Sequence, residues 1–201
     1  FVYDYKVDEN NVIVKHKART VVRGVEAREG IEYGETFSAT VRAKSLRVIL
    51  SMAAKEKMAL HQYDVEQAFL TAGLEDEIIY VHPPPGYGRD GYVWVLDKAL
   101  YGLKQASYLF QKPFSRILMQ ELGMERLKED PSIYVMKRKR GQREVMLIAC
   151  VYVDDIVVAY GDDAIRAEFQ RGLESHIGIK DIGRLKYCLG MHVEQNPTTF
   201  S

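Results

Sequence analysis

Apolar residues along this chain recur with two periods, and the two periods divide it into strands and helices. Residues 146–151 and 156–160 are continuous apolar runs, rich in β-branched side chains and the length of buried strands. Between them stands Tyr152-Val153-Asp154-Asp155, so the pattern predicts a β-hairpin with two acids at its tip. Alternation with period two over residues 1–24, broken by Asp8-Glu9-Asn10-Asn11, predicts a second hairpin. Residues 78–81, 94–96, 132–136 and 187–193 read as further strands. Helical spacing appears at Leu46, Ile49, Leu50, Ala53 and Ala54, and at Leu103, Phe110, Phe114, Ile117 and Leu118. It appears again at Ile165, Phe169 and Leu173, behind a capping Asp162-Asp163-Ala164. Residues 58–70 read as a short strand ending near Asp64, then a helical turn. The polar stretch 25–38 reads as a loop, and residues 75–77, 137–143 and 180–183 as turns. Pro83, Pro84 and Pro85 make a rigid connector, since they lack N–H groups. Pro113 falls inside a helical pattern, where it costs ~3 kcal/mol or forces a kink.

Composition narrows the class. The 201 residues are 47% hydrophobic and 28% charged, ordinary for a folded chain able to bury a sizeable core. Lys and Arg number 28, as do Asp and Glu, so a global basic signal for nucleic acid is missing and only a local basic groove remains open. Cys150 and Cys188 both lie in apolar runs and read as reduced core residues, not as a disulfide framework or a metal site. No run approaches the ~18 apolar residues of a membrane span. The chain opens on Phe1 and stops at Ser201, which reads as a piece of a longer polypeptide.

The acids carry the chemistry. Burying two carboxylates is costly without a cationic partner, and no Lys or Arg lies between Arg143 and Arg166. Asp154 and Asp155 therefore read either as turn residues or as ligands of a divalent metal. Asp64, at the C-terminal end of a strand that meets a helix, reads either as a helix cap or as a catalytic acid. The basic arm containing Lys17, Arg19 and Arg23 is either a solvated edge strand or a phosphate-binding arm. Together, an acid at one strand end, paired acids on a hairpin and cations on a separate hairpin form the layout of two-metal phosphoryl transfer. There, carboxylates hold two ions ~3.5–4 Å apart and Lys and Arg neutralise the triphosphate.

Seven segments then carry a resemblance that spans nearly the whole chain. They are K-A-R-T-V-V-R-G (17–24), G-I-E-Y-G-E-T-F-S (30–38), L-H-Q-Y-D-V-E-Q-A-F-L (60–70), P-P-G-Y (84–87), A-L-Y-G-L-K-Q-A (99–106), Y-V-D-D-I (152–156) and K-D-I-G-R-L-K-Y-C-L-G-M (180–191). In this order and spacing they resemble the reverse transcriptase of copia-type long-terminal-repeat retrotransposons. The resemblance implies an α+β right-hand polymerase, with an antiparallel palm sheet backed by helices. Residues 1–38 and 72–104 would be fingers and 39–71 and 105–201 palm, with thumb, connection and RNase H lying outside the chain. It implies Asp64, Asp154 and Asp155 as the catalytic acids, and two Mg²⁺ ions, or Mn²⁺ in their place, held by those acids and the Val65 carbonyl. Lys17 and Arg19 would hold the triphosphate. Phe69 would be the aromatic gate against a 2′-hydroxyl, and Tyr101 and Gly102 would lie beneath the nucleotide. Leu189, Gly190 and Met191 would grip the primer end, and Lys180 or Lys186 would give a proton to pyrophosphate.

The implied partners are an RNA or DNA template, a DNA or tRNA-type primer and deoxynucleotides. The implied context is a Pol polyprotein with integrase upstream and RNase H downstream, working in cytoplasmic virus-like particles with nuclear access and no membrane. The chain departs from the family at Ser107-Tyr108-Leu109-Phe110, where Pro-Arg-Ala-Trp is usual, at Thr71-Ala72-Gly73, where Asn-Gly-Asp is usual, and at Pro113. These departures keep a second reading open, a catalytically inactive genomic remnant that at most binds nucleic acid. A third, a palm-like nucleotide cyclase, leaves the finger and primer-end segments without a role.

Overall fold

The computed structural model describes residues 1–7, 12–31, 33–74, 77–196 and 198–200. The expected first turn (8–11) and two of the three acids of the expected turn at 75–77 lie outside the described residues. The chain divides into two compact units, residues 1–37 with 69–110 and residues 38–68 with 111–201.

The first unit is built on small pieces of sheet. Strands β1 (Val2–Val7) and β2 (Ile13–Arg19) pair antiparallel. A 3-10 turn follows at Gly24–Glu26. Further along, β4 (Tyr80–Val81) pairs with β5 (Trp94–Val95). Between the two hairpins, the Val22 N–H donates to the Tyr101 carbonyl at 2.8 Å. That contact requires glycine on both sides. A methyl on Gly24 would strike the Gly102 backbone, and one on Gly102, at φ +91, would strike the Val22 carbonyl.

The second unit holds the large core. Helix α1 (Ala43–Lys55) leads into β3 (Ala59–Val65), and the single turn α2 (Ala68–Thr71) follows, its residues from Phe69 on counting with the first unit. Helix α3 (Ala106–Arg116), which belongs to this unit from Gln111 on, runs on into a π turn at Ile117–Glu121. Then come β6 (Glu125–Arg126), β7 (Ile133–Arg140), β8 (Arg143–Tyr152), β9 (Asp155–Tyr160), α4 (Asp163–Glu174) and β10 (Ile179–Arg184). A final small hairpin joins β11 (Tyr187–Cys188) to β12 (Met191–His192). Six strands form one antiparallel sheet in the order β10-β3-β9-β8-β7-β6. Among the described residues no helix is long and apolar enough to cross a membrane.

Strand alternation sorts the core onto two faces. On one, α1 lays Leu46, Ile49 and Ala53 over Leu60, Val157, Ala159, Ile148, Cys150 and Ile133. On the other, Tyr63 packs against Phe169 of α4, ring centroids 6.0 Å apart, and the Tyr134 hydroxyl meets Ser115 of α3 at 3.0 Å. Each fully buried side chain of this kind is worth ~1.5–3 kcal/mol of transfer free energy. Helix α4 starts where its sequence says it should, with the Asp162 carboxylate accepting from the Ile165 N–H at 2.8 Å. Helix α1 has no such side chain of its own. The buried Asp130 does the work instead, accepting from the Arg42 N–H at 3.1 Å. Both cysteines are free and buried, and burial pushes the Cys150 thiol to about 12 and Cys188 to about 11.

Four local expectations change. The basic stretch 137–143 is mostly strand; the turn shrinks to Gly141 and Gln142, and Arg138 and Arg140 both reach Glu168 on α4. Residues 180–183 belong to β10, not to a turn, because a bulge between Asp181 and Gly183 absorbs the glycine at φ +93. Residues 187–193 form a hairpin, with Leu189 and Gly190 both at positive φ between its strands. Pro113 sits inside α3 without ending it, next to the buried Phe114, and a π turn containing the buried Leu118 follows.

Candidate active site

The acids gather at one end of the large sheet, on the face that α1 covers. Directly opposed residues of an antiparallel pair project to the same face. Asp64 on β3 opposes Asp155 on β9, Asp155 also opposes Tyr152 on β8, and Lys180 on β10 opposes Asp64. Lys180, Asp64, Asp155 and Tyr152 therefore form one row across four strands. One pleat further in, the same face becomes apolar at Val157 and Cys150 and stays so beneath α1. The polar row is where the apolar stripe ends.

The hairpin differs in detail from the expected acidic tip. Asp155 is the first residue of β9, and the turn consists of Val153 and Asp154. Val153 takes φ 56, a left-handed conformation that a β-branched residue rarely adopts. The Asp154 carbonyl accepts the Val65 N–H at 2.8 Å, which pins the turn to the end of β3. Burial raises the Asp155 carboxyl above its ordinary value; a hydrogen bond from Gln62 lowers it and the Asp154 charge raises it further.

Among the described residues, no three His, Cys, Asp or Glu side chains stand close enough to hold a metal by themselves. Mg²⁺ ordinarily takes one or two carboxylates and completes its shell with water and substrate phosphates. The opposed, half-buried pair Asp64 and Asp155, with Asp154 beside it, is an all-oxygen donor set of that kind.

Behind this row, on the opposite sheet face, a polar cluster fastens β10 to β3. His61 Nε2 lies 2.6 Å from Asp181 Oδ1, and Arg166 Nη1 lies 3.6 Å from Asp181 Oδ2. Arg166 also donates to the Tyr63 hydroxyl and to Gln170, both at 3.1 Å. The Asp181 carboxylate also accepts the Gly183 N–H at 2.8 Å, holding the bulge closed.

The candidate nucleotide residues lie in the first unit, and several of them meet. Lys17 and Arg19 are half-buried on one face of β2. The Arg19 guanidinium lies 5.6 Å from the Tyr101 ring centroid, and Phe69 meets Tyr101 edge-on at 4.7 Å. Gly102 follows Tyr101 at the close approach to Val22. In the second unit, Leu189 and Gly190 form the turn of the β11–β12 hairpin, Met191 opens β12, and Leu189 and Met191 pack on the α1-side core. Of the two candidate proton donors, Lys180 stands in the acidic row, whereas Lys186 sits at the base of the small hairpin, where its carbonyl accepts the Val193 N–H.

Gln62 and the His61–Asp181 pair were not among the expected site residues. The signal for Gln62 was present: two residues before Asp64 on a strand, it had to share the face of the acid.

Residues 1–201 match the family described as reverse transcriptase (RNA-dependent DNA polymerase), and the chain belongs to that family. Its relatives include Pol polyproteins of copia-type transposons. It is 34% identical over 202 residues to the retrovirus-related Pol polyprotein from transposon TNT 1-94 of Nicotiana tabacum, covering 99% of this chain and 15% of that protein. It is 33% identical over 201 residues to the corresponding polyprotein from transposon RE1 of Arabidopsis thaliana, covering 98% of this chain and 13% of that protein. The transposon Ty1-GR1 Gag-Pol polyprotein of Saccharomyces cerevisiae is 28% identical over 192 residues, 93% of this chain and 9% of that one.

Proposed function

We propose that this chain is the polymerase core of a retrotransposon reverse transcriptase, extending a DNA or tRNA-type primer on an RNA or DNA template. The observation that carries the reading is the row of Lys180, Asp64 and Asp155 at one sheet end, with Asp154 pinned beside it. On this reading residues 1–38 and 72–104 are the fingers and 39–71 and 105–201 the palm, a division that falls within a few residues of the two compact units.

Asp64, Asp154 and the Val65 carbonyl would hold Mg²⁺, with Asp155 completing the acidic set and Mn²⁺ as the alternative ion. Two bound ions supply charge stabilisation to the attacking and leaving oxygens of the phosphoryl transfer. The chain's own groups do the rest. Lys17 and Arg19 neutralise the triphosphate. Phe69, braced by Tyr101, fills the space a 2′-hydroxyl would need and so favours deoxynucleotides. Gly102 keeps the backbone bare beneath the base. Lys180, beside Asp64, protonates the departing pyrophosphate. The Leu189-Gly190-Met191 hairpin holds the primer end. The wider context is a Pol polyprotein with integrase upstream and RNase H downstream, in cytoplasmic virus-like particles with later nuclear access.

Primer extension with deoxynucleotides and Mg²⁺, by the chain and by the polyprotein carrying its downstream domains, tests this. Incorporation lost in Asp154→Asn supports it. Salt-sensitive template binding that is equal in both forms, with no extension by either, refutes it and leaves the inactive, nucleic-acid-binding remnant.

A further inference from the structure

The acid-bearing face carries one polar side chain that the reading above does not use. Gln62 is half-buried on β3, and its Nε2 donates to Asp155 Oδ1 at 3.0 Å. Its strand neighbours are Val157 on β9 and Gly183 on β10, where the bulge leaves no side chain beside it. We propose that Gln62 is a positioning residue for the metal site, fixing the Asp155 carboxylate and thereby setting the site's affinity for a divalent cation. The proposal rests on the two-metal reading.

The residue type is the argument. Asp155 is directly opposite Asp64 and next to Asp154, so three like charges share a half-buried sheet end. The Gln62 amide is the hydrogen-bond donor that holds this carboxylate in place there. A Lys or Arg at position 62 would supply one but would also cancel the negative charge that attracts a cation. An amide donates while remaining neutral, so it holds the carboxylate in place and leaves the net charge of the acids intact. A donor on one carboxylate oxygen also fixes rotation about the last side-chain bond, which aims the other oxygen. The bond links neighbouring strands diagonally, so Gln62 couples the aim of Asp155 to the strand that carries Asp64.

The test is Mn²⁺ titration of the whole chain followed by electron paramagnetic resonance, with thermal melts in chelator as a fold check. Gln62→Met keeps the volume and removes the donor; Gln62→Asn keeps an amide one methylene too short to reach, so either variant serves if the other folds poorly. Loss of such a supporting partner lowers metal affinity about ten- to a hundredfold, and that loss with an unchanged melt is the expected result. In primer extension kcat falls while KM for the deoxynucleotide stays. Mn²⁺ affinity within about twofold of the parent, together with loss of binding in Asp155→Asn, overturns the role of Gln62 and spares the metal reading. Mn²⁺ binding indifferent to both Asp64→Asn and Asp155→Asn overturns both.

Discussion

Replacing Asp155 with Asn should make the metal-free protein more stable while ending its chemistry. The substitution removes a charge and keeps an oxygen where Gln62 donates. Burial first, and then the neighbouring Asp154 charge, disfavour the ionised Asp155 carboxylate. Two unit charges ~5 Å apart repel by roughly 3 kcal/mol at an effective dielectric of ~20. Water reaches this sheet end, because both acids are only half-buried, and screening reduces the figure to about 1 kcal/mol. For a chain of this length that is a rise in Tm of about 3 °C. The assay is a thermal melt at neutral pH in chelator, with a second melt in excess Mg²⁺. In Mg²⁺ the order should invert, since the cation stabilises only the form that binds it. A lower Tm for Asp155→Asn in chelator would refute the reasoning, because the carboxylate would then be holding the sheet together and not straining it.

Gly102→Ala should destabilise the first unit by at least about 2 kcal/mol, since its methyl meets the Val22 carbonyl and the Val21 side chain; limited proteolysis should then cut within residues 1–37 first. Asp181→Asn should cost stability at neutral pH. Burial alone would raise the Asp181 carboxyl, but the His61 hydrogen bond, the Gly183 N–H and the His61 and Arg166 charges together hold it below its ordinary value. A depressed carboxylate contributes stability above its unfolded pKa and loses it as pH falls through the folded one, so parent and variant melts should converge in acid. Pro113→Ala should raise the urea midpoint, by up to ~3 kcal/mol in free energy, with no change in Mn²⁺ binding. Phe69→Val should raise the ratio of ribo- to deoxynucleotide incorporation without altering Mn²⁺ affinity.

Where sequence and structure agree, local and long-range preferences point the same way. Helix α4 has its own capping Asp162 and the spaced apolar residues Ile165, Phe169 and Leu173, so no distant partner was needed to read it. The β8–β9 hairpin is apolar enough to be buried wherever it lies. The segment of β10 was opaque for the opposite reason. Asp181 and Gly183 are turn residues by local preference, and what makes them strand is β3, some 120 positions earlier, with His61 closing on Asp181. The charges of β7 misled in a similar way. Four successive cations look like a solvated tip, yet alternation aims Arg138 and Arg140 at one glutamate on α4. That hairpin tip lies at the far end of β8 from Tyr152, roughly 30 Å away by the rise of ten strand residues, so its cations belong to a different surface from the acids.

The same contrast bears on Val153. A two-residue hairpin turn that needs positive φ ordinarily recruits Gly or Asn, and a β-branched residue at φ 56 costs on the order of 1–3 kcal/mol. Nothing in the core demands that cost, since β8 and β9 would pair equally well around a glycine. A glycine, however, would free the backbone that presents the Asp154 carbonyl to the Val65 N–H. The strain at Val153 and the repulsion around Asp155 thus fall within three residues of each other, at the one end of the sheet where the apolar stripe stops. Where a broken local rule coincides with clustered like charge, pre-organisation of that charge is a physical reason for it. By that argument Val153→Gly should raise stability in chelator, as Asp155→Asn does, yet weaken Mn²⁺ binding; a glycine variant with both properties unchanged would separate the strain from the site.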